Sequence, residues 1–414
     1  MILVCRHKII AQDILEITIE QAENRFLEKN LQLLAERCNI AIADAAIVQA
    51  KVLNNPTIGV GDINFWTPNA ANELEVTPAN FGNGIVFSVE LEQVIRTAGK
   101  RRKLIHLEKV SKEITVQEFE AFLSGLKTEL RTLLHETIYL QSCINIIKIQ
   151  QDAITKWVDV YKTQTSAGNI AKGELIRLQS SLIELESDGN EIYTELNKQY
   201  KELKVLLNIP IGTNILILPS ATVPKNPKDI SLNELFELAK NARPEFLLSD
   251  LNIRYNEKLL AFEKAQRSPD IALSVNYDRY GGVWKNFVGL GMSLELPFFN
   301  RNQGNIKIAK LCLEQSNYHA EYQKNIIYQE IEEIFDNYNR SYNFYKKLMD
   351  NDFSEDLDNM FELYSQYLLN KNISMLEYID FMDAYKTTKQ AILMAKKNLD
   401  TGFAELQFSV NHDL

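Results

Sequence analysis

The sequence predicts a mainly α-helical protein with a small β part, built from two similar halves. Two pairs of short segments alternate apolar residues with small or polar ones, which is the period-two pattern of strands with one apolar face. Each pair is followed by a long stretch that lacks proline and repeats apolar residues every three or four positions, as long packed helices do. Two hairpins and two helical regions within 414 residues indicate an internal duplication.

The duplication is visible when one half is laid over the other. Leu247 follows Leu34 by 213 positions, and the same offset relates Pro269 to Pro56. Each copy is far longer than a solenoid repeat, which spans roughly 20–45 residues, so the halves are two copies of one fold. We expect a targeting remnant at 1–14, a first repeat at 15–215, a linker at 216–230 and a second repeat at 231–414.

Both repeats are expected to have the same order of elements: two helices, a strand hairpin, a very long helix, a turn and a second long helix. Asn55-Pro56 ends the opening helices of the first repeat. A helix over 100–164 would span about 95 Å at 1.5 Å per residue, several times the size of a compact domain. The predicted strands lie at 57–66, 84–92, 270–280 and 287–297, and the predicted long helices at 100–164, 173–208, 304–369 and 375–408.

Four strands in one chain leave two open sheet edges and an apolar face without a partner. Contact with lipid and closure by neighbouring copies would satisfy both, because a sheet that crosses a membrane must close. The alternation is clearest in the last predicted strand. Its apolar face carries Val288, Leu290, Met292, Leu294 and Leu296, and its other face carries Gly289, Gly291, Ser293 and Glu295.

Composition excludes several classes of function. The net charge of −10 argues against nucleic-acid binding, which needs clustered Lys and Arg. No run of 18 apolar residues occurs, so no transmembrane helix is expected, although barrel strands would carry only an alternating signal. The five histidines and four cysteines lack metal-ligand spacing, and no glycine-rich phosphate loop occurs. We therefore expect no enzyme, no cofactor and no metal site.

Several short motifs are shared with a known family. They are Ala98-Gly99-Lys100-Arg101, Arg243-Pro244-Glu245, Ser268-Pro269-Asp270, the run from Leu296 to Gly304 (LPFFNRNQG) and the run from Asn372 to Glu377 (NISMLE). Together they resemble the TolC-like outer-membrane efflux proteins (outer membrane factors) over nearly the whole chain from about Leu15 onward. The sequence departs from the family pattern at the N-terminus and at Lys371, where a glycine is common.

The resemblance implies a homotrimer in the outer membrane of a Gram-negative bacterium. Four strands from each chain would form a twelve-stranded transmembrane β-barrel in contact with lipid, and the long helices would form a periplasmic α-barrel. Such a protein is a passive export duct for small substrates, and it works with a periplasmic adaptor (membrane fusion) protein and an inner-membrane pump of the RND type. The Asn300–Gly304 run is most similar to the heavy-metal efflux branch (the CzcC and CusC kind), which implies divalent metal cations as substrates; drugs are the alternative.

By the same resemblance, the turns between the long helices form the periplasmic tip. An adaptor would dock there, and a ring of carboxylates would line the closed aperture and favour cations. Read without the family, these acids are solvated side chains at helix ends. The candidate aperture residues are Glu377, Asp380, Asp383 and Glu174, the counterpart of Glu377 in the first repeat; the candidate docking turns contain Gly168, Asn169, Asn370, Lys371 and Asn372.

Aromatic residues cluster near the loop ends of the predicted strands, as a membrane-interface girdle requires. The small-residue face would line a water-filled lumen. The alternative function is a soluble coiled-coil scaffold or membrane-tethering protein, which accounts for the helices and the acidic charge but not for two hairpins at matching positions. The girdle candidates are Phe65, Trp66, Tyr277, Tyr280, Trp284 and Phe287.

Overall fold

A computed structural model describes residues 14–66, 81–219, 224–279, 284, 286–350 and 353–414. These residues form two compact units, and each unit draws on both repeats. We call them the helical unit and the sheet unit. The helical unit comprises Met1–Arg37, Glu118–Leu247 and Lys324–Leu414, and the sheet unit comprises Cys38–Gln117 and Leu248–Gln323.

The helices dominate the described part of the chain, and none of those helices is both long and apolar enough to cross a membrane. In chain order the elements are β1 (Ile14–Thr18), α1 (Ile19–Lys29), α2 (Leu31–Lys51), β2 (Thr57–Trp66), β3 (Phe81–Ile95), α3 (Lys100–Ser166), α4 (Lys172–Leu206), β4 (Asn214–Leu218), a 3₁₀ turn (Pro227–Asp229), α5 (Leu232–Ala242), α6 (Pro244–Gln266), β5 (Ile271–Arg279), β6 (Asn286–Leu294), α7 (Gln303–Met349), α8 (Phe353–Leu369) and α9 (Met375–Val410).

The sheet unit contains a four-stranded antiparallel sheet in the order β2-β3-β5-β6. Each repeat supplies one hairpin, and the hairpins meet where β3 pairs with β5, from Phe87 opposite Arg279 to Ile95 opposite Ile271. The register separates an apolar face from a small-residue face, as the alternation predicts. A Cβ at Gly289 would lie 2.3 Å from the side-chain oxygen of Asn276 on the neighbouring strand, so a larger residue there would force that side chain to shift.

A buried ion pair fixes the start of α3 in the sheet unit. The Nζ of Lys100 lies 2.8 Å from Oδ1 of Asp270, and the lysine side chain is only 6% exposed. The same carboxylate oxygen accepts a hydrogen bond from the backbone N–H of Thr97 at 2.9 Å. Both charged residues belong to motifs that carry the family resemblance. Their role here is to hold the first turn of the long helix against the residue before β5.

The helical unit contains a second, two-stranded sheet that the sequence analysis did not predict. Strands β1 and β4 pair in parallel, from Ile14 opposite Asn214 to Thr18 opposite Leu218. Both strands are short, and partners such as Ile14 and Asn214 are 200 residues apart in sequence, so neither strand gives a local hairpin signal. The last three residues of β4, 216–218, lie within the segment 216–230 that was expected to be a linker.

Two hydrophobic cores organise the helical unit around its helices. The first joins β1, α1, α3, α4 and β4, and the second joins α5, α7 and α9. The fully buried side chains of the first core include Phe26, Leu130, Leu134 and Leu203; those of the second include Leu235, Ile327, Ile331, Tyr338 and Leu406.

The repeats share a sharp corner between their two opening helices. Asn30 separates α1 from α2, and Arg243 separates α5 from α6, with nearly equal backbone angles at both residues. Asn30 Nδ2 donates to the Leu206 carbonyl at 2.9 Å. Arg243 instead reaches Glu330 on α7 with Nη2 at 2.7 Å, and its Nε pairs with Glu245 at 3.1 Å. The Arg-Pro-Glu motif is therefore a buried structural brace.

One predicted helix differs from the structure. The sequence predicts a single helix over 304–369, whereas the described residues form α7, which ends at Met349, and α8, which begins at Phe353. The intervening sequence is Asp350-Asn351-Asp352, and Asn and Asp are poor residues for a helix interior because their side chains compete for backbone hydrogen bonds. Residues 351–352 lie outside the described part.

Candidate gate at the two helix turns

The turns that join α3 to α4 and α8 to α9 have the same backbone construction. Gly168 in the first and Lys371 in the second both have positive φ, at 77° and 58°. The backbone N–H of the third residue after each helix donates back across the turn: Asn169 to the Gln164 carbonyl and Asn372 to the Tyr367 carbonyl, both at 2.9 Å. This is the glycine-type helix ending known as the Schellman motif, made once with glycine and once with lysine.

The two turns differ in how the next helix begins. Ser374 caps α9, and its hydroxyl accepts from the backbone N–H of Glu377 at 3.3 Å. Glu377 Oε2 accepts in return from the Ser374 backbone N–H at 2.7 Å, which completes a capping box. At the matching place in the first repeat, Ala171 precedes α4 and offers no side-chain cap.

Glu377, predicted as an aperture residue, is therefore also a structural residue. Its pKa lies below the ordinary value because the backbone N–H of Ser374, and then the Ser374 hydroxyl, donate to the carboxylate. The carboxylate is exposed and ionised at neutral pH while it caps the helix. The sequence carries this signal as the run Ser374-Met375-Leu376-Glu377, which has the S-x-x-E spacing of a capping box.

Asp380 and Asp383 follow Glu377 along α9 at intervals of three, and both are exposed. Although the residue as a whole is exposed, its carboxyl is partly desolvated, and this raises the pKa of Asp383; Lys386 lowers the pKa, while Glu184 and Asp380 add to the rise. An acidic column on α9 thus lies near acidic residues of α4. Only part of this column has a counterpart in the first repeat, where Glu174 is exposed near the start of α4 and Arg177 and Ser180 occupy the positions of Asp380 and Asp383.

Two polar contacts join the two helix pairs beside the acidic column. The Nζ of Lys386 on α9 lies 2.7 Å from Asp188 Oδ2 on α4, and the lysine side chain is 13% exposed. Gln150 on α3 is buried and donates from Nε2 to the Met382 carbonyl at 2.7 Å. These contacts hold α9 against both helices of the first pair.

One hydrophobic cluster underlies both turns. It contains residues of α3, α4, α8 and α9, so the two helix pairs form a single packed tip. The ring of Trp157 packs edge-on against the ring of Tyr378, with centroids 6.1 Å apart. The buried members are Ile154, Tyr161, Leu178, Leu185, Leu368, Met375, Tyr378 and Met382.

The predicted docking residues lie on the surface of these turns. Gly168, Asn169, Asn370, Lys371 and Asn372 are all exposed. Asn169 Nδ2 donates to Gln164 Oε1 at 2.8 Å, which holds its amide within the first turn. In the second turn, the backbone N–H groups of Lys371 and Asn372 donate to the carbonyls of Leu368 and Tyr367.

The candidate girdle residues are divided between the two faces of the sheet. Tyr277 lies on the apolar face opposite Val288, and its hydroxyl donates to Asn286 Oδ1 at 2.9 Å. Phe287 pairs with Asp278 and so shares the face of the small residues. Trp284 is exposed in the loop between the strands. Tyr280, and the side chains of Phe65 and Trp66, lie outside what the structure describes.

Within the described ranges, no group of three or more His, Cys, Asp or Glu side chains is arranged to hold a metal ion. The acidic side chains near the turns are spread along helices instead of converging on one point.

Known proteins resemble this chain in sequence and in fold. No protein-family model matches the sequence. The chain is 20% identical over 302 residues to the cobalt-zinc-cadmium resistance protein CzcC of Cupriavidus metallidurans, covering 70% of this chain and 65% of that protein. The match thus spans less than two thirds of CzcC.

Solved structures match nearly the whole chain. A membrane protein from Pseudomonas aeruginosa has a TM-score of 0.75 at 13% identity, covering 95% of this chain and 93% of its own. CusC, described as forming a transmembrane channel, has a TM-score of 0.73 at 14% identity, covering 95% and 92%. The CmeC outer-membrane channel of Campylobacter jejuni has a TM-score of 0.76 at 14% identity, covering 95% and 85%. The predicted resemblance is confirmed at the level of fold: the chain has the fold of the TolC-like outer-membrane efflux proteins.

Proposed function

We propose that the protein is a trimeric outer-membrane channel, the passive outer part of a tripartite efflux system in a Gram-negative bacterium. The observation that carries this proposal is the match of 95% of the chain to solved outer-membrane channels. The open-edged sheet, with its apolar and small-residue faces, supports it. Three copies of the four-stranded sheet would close into one barrel. In lipid, only such closure gives hydrogen-bond partners to the backbone groups at the outer edges of β2 and β6.

The partners follow from the same proposal. A periplasmic adaptor would dock on the exposed turns around Gly168 and Lys371, and an inner-membrane pump of the RND type would supply the energy. We assign the channel no reaction of its own. The protein is a conduit that opens when the helix pair α8–α9 moves relative to α3–α4.

Divalent metal cations are the substrates we favour. The sequence relative CzcC is a cobalt-zinc-cadmium resistance protein. Glu377, Asp380 and Asp383 would place three carboxylates per chain along α9, and threefold repetition would concentrate negative potential on the channel axis. Carboxylates that are spread along a helix, and do not converge on one ion position, would attract a cation without binding it tightly enough to stop its passage.

Single-channel conductance in planar bilayers tests the acidic aperture. The double variant Glu377→Gln with Asp380→Asn should change the cation preference or raise the resting conductance, because it removes two charges per chain while keeping hydrogen-bonding side chains. Glu377→Gln can still cap α9, so a lost cap does not confound the result. The matched control is Glu186→Gln, an exposed acid on α4 outside the proposed aperture.

An unchanged record in the double variant would refute the aperture assignment while leaving the channel proposal in place. The absence of any channel activity in the wild-type protein would contradict the channel proposal itself.

A further inference from the structure

Helices α1, α3 and α9 surround His135 in the helical unit, beside a cavity of about 600 Å³. The imidazole is 17% exposed, and its Nδ1 lies 3.7 Å from Asp400 Oδ2, too far for a hydrogen bond. Among the described residues, the ring makes no closer polar contact. His135 is thus a nearly buried titratable group at the contact between a helix of the first repeat and a helix of the second.

The acidic groups around His135 already have cationic partners. Asp400 Oδ1 lies 2.8 Å from the Lys396 Nζ, and Glu23 Oε1 lies 2.5 Å from the Arg131 Nε. Glu136, the residue directly after His135 on α3, pairs with Lys397 at 2.7 Å. The remaining titratable groups that line the cavity are Glu20 on α1, Tyr139 on α3 and Asp413 after α9.

The charge balance opposes protonation of His135. A proton on the imidazole would add a positive charge close to Arg131 and Lys396, and the nearest carboxylate, Asp400, is already neutralised by Lys396. Burial lowers the pKa of His135; Asp400 raises it, while Lys396 and Arg131 lower it further. The folded chain therefore favours the neutral imidazole.

We propose that His135 is an acid-sensitive switch at the α3–α9 contact, and that its protonation loosens α9 from α3. The sign follows from linkage: a group that is harder to protonate when folded contributes stability that is present above its unfolded pKa and is lost as the pH falls. The unfolded imidazole titrates near pH 6.5, so the loss begins below about that pH. The inference concerns packing and holds whether or not the protein conducts ions.

Hydrogen exchange of the full-length protein in detergent tests the switch. Peptides covering α3 residues 128–142 and α9 residues 393–407 would be followed at pH 7.5 and pH 5, with rates corrected for intrinsic exchange. In the wild type, protection should fall at pH 5, by about tenfold for each unit between the unfolded pKa near 6.5 and either the folded pKa or pH 5, whichever is higher. His135→Gln should keep equal protection at both values. His319→Gln, which alters an exposed histidine on α7, should behave as the wild type.

A second variant keeps the test decisive if His135→Gln does not fold. Lys396→Gln removes one opposing cation and frees Asp400 to pair with the imidazolium, so the acid loss should shrink. The proposal is overturned if wild-type protection is equal at both pH values, or if either variant retains the full acid loss. Because the readout is exchange and not conductance, failure here is distinct from failure of the channel proposal.

Discussion

The two helix turns follow the same backbone path but are stabilised by different residues. The first turn places a glycine at its positive-φ position and starts α4 at an alanine without a side-chain cap. The second places Lys371 at positive φ and starts α9 with the Ser374–Glu377 capping box. A left-handed conformation is strained for lysine and relaxed for glycine. The capping box in the second turn offsets a strain that the first turn avoids.

This difference shows how a duplicated fold can keep a geometry while changing its chemistry. Both helices carry an acid in their first turn, but the second turn adds a serine cap and further acids along α9, and its stability depends on that cap. The first turn combines a relaxed glycine with an uncapped helix start. We therefore expect the two turns to respond oppositely to the same kinds of substitution.

The largest effect is expected from Gly168→Ala. An alanine at φ of 77° should cost about 1–2 kcal/mol in the free energy of unfolding, because a left-handed backbone brings the Cβ too close to the following carbonyl oxygen. Denaturant unfolding in detergent would measure it. The control is Gly173→Ala, at a helical glycine of α4 with open space around it, which should be neutral or stabilising. Equal losses at both sites would contradict the assignment of strain.

Ser374→Ala should cost about 1 kcal/mol, since it removes the hydroxyl that caps α9 and half of the capping box. The reciprocal change, Ala171→Ser, supplies a cap that α4 lacks and should stabilise the first turn by a smaller amount. Thermal unfolding of the pair would show shifts of opposite sign. A loss in both variants would mean that the caps are not what distinguishes the turns.

Lys371→Gly should stabilise the second turn by about 0.5–1 kcal/mol. Relief of left-handed strain, about 1–2 kcal/mol, exceeds the added entropy of glycine in the unfolded chain, about 0.4–1 kcal/mol. The matched control is Asn370→Gly, one residue earlier, where φ is not positive and only the entropy cost applies. If Lys371→Gly were destabilising, the lysine side chain would have a stabilising role that outweighs its strain.

The smallest effect is expected from Asp383→Asn, and it should depend on pH. Because partial burial raises the pKa of Asp383, the wild type loses stability as the pH rises from the unfolded value of 3.8 through the folded pKa. The variant should be slightly more stable than the wild type at pH 7 and equal to it at pH 3. Glu186→Gln, an exposed acid on α4 that is not among the groups shifting the Asp383 pKa, serves as the control. A gain that is the same at both pH values would exclude the ionisation of Asp383 as its cause.

The sequence predicted much of this fold because its strongest signals are local. The period-two alternation predicted strands β5 and β6, and the long stretches without proline predicted helices α3 and α9. The β1–β4 sheet was missed because five-residue parallel strands depend on a partner about 200 residues away, which no local pattern reports. The sequence did not predict the break between α7 and α8, because apolar residues at helical spacing continue on both sides of the short polar run that begins at Asp350.

The candidate site was predicted only in part, for a similar reason. The turn positions followed from Gly168 and the repeat offset. The second role of Glu377 depends on its contact with Ser374, and the surroundings of Asp383 depend on α4, which approaches α9 only in the folded chain. No local sequence pattern marks His135, because the residues around it belong to three helices, α1, α3 and α9.

The most direct test of the central claim is the mass and location of the protein. The chain would be produced with an export signal in a Gram-negative host, and membrane fractionation would show where it accumulates. Light scattering in detergent would then give the mass of the particle. We predict recovery from the outer membrane as a particle of three times 47.6 kDa of protein. A soluble monomer or dimer would contradict the account and favour a coiled-coil scaffold instead.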